Sequence, residues 1–230
     1  MDKKNNFQNA TSVLQIIQAN KKLTDDNYSK QAATELAQKL WKTIKPYVKK
    51  NISVYQNWKN QDYANRKKFI NDVLNLLLKK FPGKNTQTPK IYFQEQVKPI
   101  WPHDIPMPEA LFYSPKLNPW ANELVQSKLG STNPFFAFFH GFSLSGSLGL
   151  VAHEFTHYLQ SIGQSSLSPD VTKQAIDYYQ YYYVHNNMQI HDDSIHEYEA
   201  RDVSKYINEQ VKQLIATNSF GLYSNNNYEK

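Results

Sequence analysis

The chain contains no cysteine among its 230 residues. Disulfides, cysteine-rich structural zinc sites and thiol nucleophiles are thereby excluded together, and any zinc site must use histidine and carboxylate. Long hydrophobic runs are missing too. The run Phe135, Phe136, Ala137, Phe138, Phe139 stops at His140, well short of the roughly 18 apolar residues of a membrane span. Val13, Leu14, Ile16 and Ile17 are interrupted by Gln15 and Gln18, so they do not form the continuous apolar core of a signal peptide. The expectation is a soluble, cytoplasmic protein. There is no internal repeat. Gly141, Ser143, Ser145, Gly146, Ser147 and Gly149 match no phosphate-binding loop and suit a tight turn and helix N-cap instead.

What is present reads as globular. Hydrophobic residues make up 40% of the chain and aromatic residues 14%, enough for one sizeable core and one or two domains. The net charge of +6 is unevenly spread. Residues 1–90 hold 18 Lys and Arg against 6 Asp and Glu, whereas residues 91–230 hold 8 against 14. A basic half can contact nucleic acid or an acidic partner. The lysines are scattered rather than clustered with aromatics, however, and the plainer reading is that they solvate the outer faces of helices.

Helical spacing runs through residues 27–50, with Leu36, Leu40, Trp41 and Ile44 on one face, and through residues 52–80, with Phe69, Ile70, Val73, Leu74, Leu77 and Leu78. Pro82 and Gly83 close the second segment, and Lys84 to Pro89 reads as a linker. A basic helical N-terminal region, 1–85, is therefore expected before a second unit, 86–230. That unit opens with β-prone runs at Ile91 to Phe93, Leu111 to Tyr113 and Phe135 to Phe139, broken by prolines, with a short helix over Trp120 to Leu129. Helical spacing returns over 146–162, 170–190 and 194–217, followed by a frayed tail from Asn218. The predicted fold class is α+β, a small irregular sheet with helices before and after it.

The chemistry-bearing segment is LGLVAHEFTHYLQSIG, residues 148–163. Leu148, Val151, Ala152, Phe155, Leu159 and Ile162 recur every three or four residues, which predicts a helix buried on one face, against the sheet. His153 and His157 lie one turn apart on another face, so both imidazoles can converge on one ion, and Glu154 can reach water beside it. Neutral imidazole suits Zn²⁺, and a third protein ligand leaves a fourth position open for chemistry. Candidates for that third ligand lie downstream: Glu199, Glu197, His196, His191, Asp192 and Asp193. Helix phase favours Glu199, which falls among Ile195, Val203, Tyr206, Val211 and Leu214 on the face expected to be buried, where a carboxylate needs a partner.

The HEFTH motif at 153–157 resembles the active-site helix of the zincin metallopeptidases. The metzincin extension is absent, with Gln160 in place of its glycine and Gly163 in place of its third histidine. The helix beginning near Ile195 looks like the glutamate-bearing helix of the gluzincins. In motif style it is similar to small cytoplasmic peptidases of the ImmA/IrrE-like kind, which carry Glu followed by Ala. The resemblance implies His153, His157 and Glu199 as zinc ligands and Glu154 as general base. Asp202, one turn from Glu199, is then a candidate to hold a ligand imidazole by its free N–H.

Weaker signals complete the reading. Ala110 to Ser114 suits an edge strand that pairs with extended substrate. Tyr178, Tyr179, Tyr181, Tyr182 and Tyr183 are expected to pack in a core, with one tyrosine or His185 as an oxyanion donor in the functional alternative. His103 and His140 read as structural. The leading expectation is a soluble zinc endopeptidase acting on a protein or peptide. The alternative is a non-catalytic protein whose basic half binds nucleic acid or an acidic partner, its metal site structural or vestigial.

Overall fold

The computed structural model describes residues 13–83, 90–93, 110–113, 134–137, 142–185 and 193–224. The first helix, α1 (Val13–Asn27), was not expected from the sequence. The second, α2 (Lys30–Tyr55), starts where the Ser29 hydroxyl accepts the Ala32 N–H. The expected helix over 52–80 is divided: α2 continues to Tyr55, a 3-10 turn spans Trp58–Asn60, and α3 (Tyr63–Lys80) restarts behind Asp62, whose carboxylate accepts the Asn65 N–H at 2.7 Å. Trp58 is buried in the corner against the rings of Tyr55 and Phe69.

The motif helix, α4 (Leu144–Ser161), is capped by Ser143, whose hydroxyl accepts the Gly146 N–H at 3.1 Å. It ends at Gly163, where a φ of +69° lets the chain turn back and the Gln164 N–H reach the Leu159 carbonyl at 2.8 Å. Helix α5 (Pro169–His185) follows, then α6 (Ile195–Ser224), which continues through the start of the expected frayed tail.

Two cores hold these helices. The larger joins Leu36, Leu40 and Ile44 of α2, Phe69, Ile70 and Val73 of α3, Leu148, Phe155 and Leu159 of α4, and Val203, Ile207 and Val211 of α6. The helices on either side of the expected boundary at 85 thus share one core. The smaller core joins Ile16, Ile17 and Leu23 of α1 with Leu167, Ala175 and Tyr178 around α5 and with Ile195. Tyr178 is therefore a core residue. The remaining tyrosines of its cluster and His185 belong to the last turns of α5, where only the backbone is described, and His103, His140, the linker 84–89 and the short helix expected at 120–129 lie outside the described residues.

The α+β expectation is overturned: the folded body is all-helical. Both cores of the described residues are assembled from helices and their connections, and the apolar face of α4 lies on α3 and α6, not on a sheet. Elsewhere among the described residues are short backbone ladders: Lys90–Phe93 (β1) pairs antiparallel with Ala110–Tyr113 (β2), and β2 with Pro134–Ala137 (β3). Periodicity identified which face of α4 is buried; it carries no information about what covers that face. Among the described residues no helix is long and apolar enough to cross a membrane.

Helices α4 and α6 run antiparallel and meet closely at Gly149. A β-carbon there would lie 3.1 Å from Ser204 Oγ and 3.2 Å from the Ser204 carbonyl oxygen. The hydroxyl can rotate away, but the carbonyl belongs to the α6 backbone. Gly146 differs, since its nearest neighbours would be at 3.4 Å, ordinary contact. Alanine gains about 1 kcal/mol over glycine within a helix, whereas overpacking costs roughly 1–3 kcal/mol. Urea denaturation should therefore show Gly146→Ala stabilised by up to about 1 kcal/mol and Gly149→Ala destabilised by about 1 kcal/mol net. Equal stabilisation of both variants would contradict the close α4–α6 contact.

Candidate metal centre

The α4 backbone places His153 and His157 one turn apart, with their Nε2 atoms 3.1 Å from each other. The third group comes from the first turn of α6. Glu197 Oε2 lies 3.4 Å from His153 Nε2, and Glu197 Oε1 lies 3.4 Å from His157 Nε2. One donor atom from each residue falls within 4.8 Å of the other two, so His153, His157 and Glu197 form a group that could hold a metal ion. His157 and Glu197 are buried, whereas the side chains of His153 and Glu154 keep 19% and 11% of their surface. The group is thus least covered at His153, whose Nε2 has Glu154 Oε1 at 3.9 Å.

The structure brings Glu197, not the expected Glu199, to the histidine pair. Glu199 is fully buried but faces another way: its Oε2 accepts from Gln160 Nε2 at 2.8 Å, and its Oε1 accepts the Ser166 N–H at 2.7 Å and hydroxyl at 2.5 Å. Two residues along a helix turn a side chain by about 200°, so Glu197 and Glu199 cannot serve the same point on α4. Asp202 does not support an imidazole either. It accepts the hydroxyl of Tyr28, tying α1 to α6. The His157 ring is held instead by Gln160, whose Oε1 accepts the Nδ1–H at 2.8 Å.

His196 stands behind the group, with Nδ1 bonded to the Ser194 hydroxyl at 2.6 Å and Nε2 at 3.7 Å from Glu197 Oε1. The carbonyl of Asp193 accepts the Thr24 hydroxyl at 2.7 Å, while His191 and Asp192 lie outside the described residues. The α4–α6 contact sets the helix phase that selects Glu197. Ser204 and Asn208 meet Gly149, and stepping back along that face of α6 by seven residues, two helical turns, reaches Glu197 rather than Glu199.

Charge follows from this packing. Burial opposes charge on His157, but Glu197 outweighs it and raises the imidazole to about 9. Burial likewise opposes charge on Glu197, yet the attraction of His157, with His153 and His196 adding to it, holds the carboxyl well below its usual range. Burial raises Glu154, despite the neighbouring imidazoles. Glu197 and Glu154 are therefore differentiated by surroundings rather than by residue type.

No family model matches the chain, and no curated protein or solved structure matches it either.

A metal ion must compete with the His157 proton, because only neutral imidazole is a ligand. Since its pKa is raised, the stabilisation that this proton contributes is complete below the ordinary imidazole value and is lost as pH rises through about 9. Metal affinity should run in the opposite sense, increasing with pH toward that value. Zinc titrations by calorimetry at pH 7, in two buffers of different ionisation enthalpy, should show about one proton released per ion bound. Uptake without proton release would contradict the His157–Glu197 pairing.

Proposed function

We propose that the chain is a zinc-dependent peptidase that hydrolyses peptide bonds with Glu154 as general base. The observation that carries this reading is the convergence of His153 Nε2, His157 Nε2 and the Glu197 carboxylate, with a second carboxylate, Glu154, beside them at 3.9 Å from His153 Nε2. Zinc donors at tetrahedral corners stand roughly 3.3 Å apart; the two imidazole Nε2 atoms are 3.1 Å apart, and each has a different oxygen of the Glu197 carboxylate at 3.4 Å. Two imidazoles and one carboxylate, with no thiolate, are also a donor set that suits catalytic zinc. The gluzincin resemblance is kept, with Glu197 as the downstream ligand.

A bound zinc ion supplies a Lewis acid that acidifies water and polarises a carbonyl. The remaining work falls to the chain. His153, His157 and Glu197 hold the ion, and Gln160 keeps the His157 Nδ1–H occupied so that Nε2 faces inward. Glu154 takes the proton of the attacking water and returns it to the leaving amine, a task suited to a carboxylate whose proton affinity is raised by burial. The substrate class is a protein or peptide.

Elemental analysis and cleavage assays test this together. Glu154→Gln should keep near-stoichiometric zinc while cleavage of an unfolded protein mixture, read as new N-termini by mass spectrometry, falls by roughly 10²–10⁴-fold. Glu197→Ala should lose both zinc and cleavage. A wild type that takes up no zinc, or a Glu154→Gln variant as active as the wild type, would overturn the reading.

A further inference from the structure

Behind His157 lies a buried chain of hydrogen bonds that the metal group itself does not require. Gln160 Oε1 accepts the His157 Nδ1–H at 2.8 Å. At the other end of the same amide, Nε2 donates to the His196 carbonyl and to Glu199 Oε2, each at 2.8 Å. Glu199 is anchored in turn by the backbone N–H and hydroxyl of Ser166, in the connection between α4 and α5.

A glutamine amide can bind in two orientations, and the choice matters here. With Oε1 toward His157, the imidazole carries its proton on Nδ1 and leaves the Nε2 lone pair for an ion. With the amide reversed, its N–H₂ would face Nδ1 and favour the tautomer protonated on Nε2, which cannot bind metal through that atom. Two acceptors with no proton to give, a carboxylate and a carbonyl, demand that N–H₂ point toward α6. We infer that Glu199 is a positioning residue: acting through Gln160, it selects the His157 tautomer that presents Nε2 to the metal. Helix α6 thereby supplies the group twice, once with the Glu197 carboxylate and once, through residues 196 and 199, with the orientation of a histidine on α4.

This role rests on the metal-site reading proposed above, and its test separates the two. In Glu199→Gln, the single amide oxygen at 199 serves Ser166 and an N–H₂ faces Gln160, donor against donor. Zinc affinity, read by competition with a chromophoric chelator, should fall by roughly 10–100-fold with far-UV circular dichroism unchanged. Adding Gln160→Glu restores an acceptor between His157 and the amide at 199, so the double variant should bind zinc more tightly than Glu199→Gln alone. Ser166→Ala, at an exposed position, removes one anchor and should weaken binding by a smaller factor even if the buried variants fold poorly.

The tautomer can be read without any metal. In ¹⁵N-labelled protein at pH 10, His157 should carry its proton on Nδ1 in the wild type and shift toward Nε2 in Glu199→Gln. Failure of the wild type to bind zinc, with this tautomer pattern intact, would sink the peptidase reading while leaving Glu199 as the residue that fixes the His157 tautomer. Wild-type zinc affinity in both Glu199→Gln and Ser166→Ala, or an Nε2-protonated wild type, would overturn the positioning role.

Discussion

At Gly149, α4 and α6 approach so closely that a β-carbon would press on the Ser204 carbonyl, and the positions of all the candidate ligands depend on that antiparallel contact. His153 and His157 are fixed relative to each other by one helix. Glu197 belongs to another, held opposite them by the packing of Leu148, Phe155 and Leu159 with Val203, Ile207 and Val211 and by the Gln160 hydrogen bonds to His196 and Glu199. A donor set carried by rigid, buried helices is preorganised in a way that a loop-borne set is not. The N-terminal helices contribute through the same core, since α2 packs along α6 and α3 meets α4.

Three glutamates near this contact show how environment divides labour among identical side chains. Glu197 is buried against imidazoles and held ionised. Glu199 is buried against neutral donors, an amide and the N–H and hydroxyl of Ser166. Glu154 stands beside the partly exposed His153, and burial raises its proton affinity. Separating carboxylates by their surroundings is how a site obtains a ligand, a scaffold and a base from one residue type.

The histidine pair was legible because both residues sit on one helix at a spacing that puts them on one face, beside an apolar stripe of Leu148, Val151, Ala152, Phe155 and Leu159 that is indeed buried. Which glutamate joins the pair was not legible by the same rule. At the start of α6, Ile195, His196, Glu197, Glu199 and Ala200 are all buried, so an inside-versus-outside criterion cannot choose between the two glutamates. Helix α1 escaped notice for a related reason: its buried stripe includes Asn20 and Thr24 among Ile16, Ile17 and Leu23, and polar residues on an inner face erase hydrophobic periodicity. The sheet expected beneath α4 came from β-prone, proline-broken segments, and such propensity is a weak guide where helices can cover the same apolar face.

The central claim is that one metal ion is shared by His153, His157 and Glu197. Its most direct test is a crystal structure of the zinc-loaded protein with anomalous data collected on both sides of the zinc edge. The account predicts a single strong peak about 2.0–2.2 Å from both Nε2 atoms and a Glu197 oxygen, with Glu199 still bonded to Gln160 and Ser166. A peak coordinated by Glu199, or none between the two histidines, would contradict it.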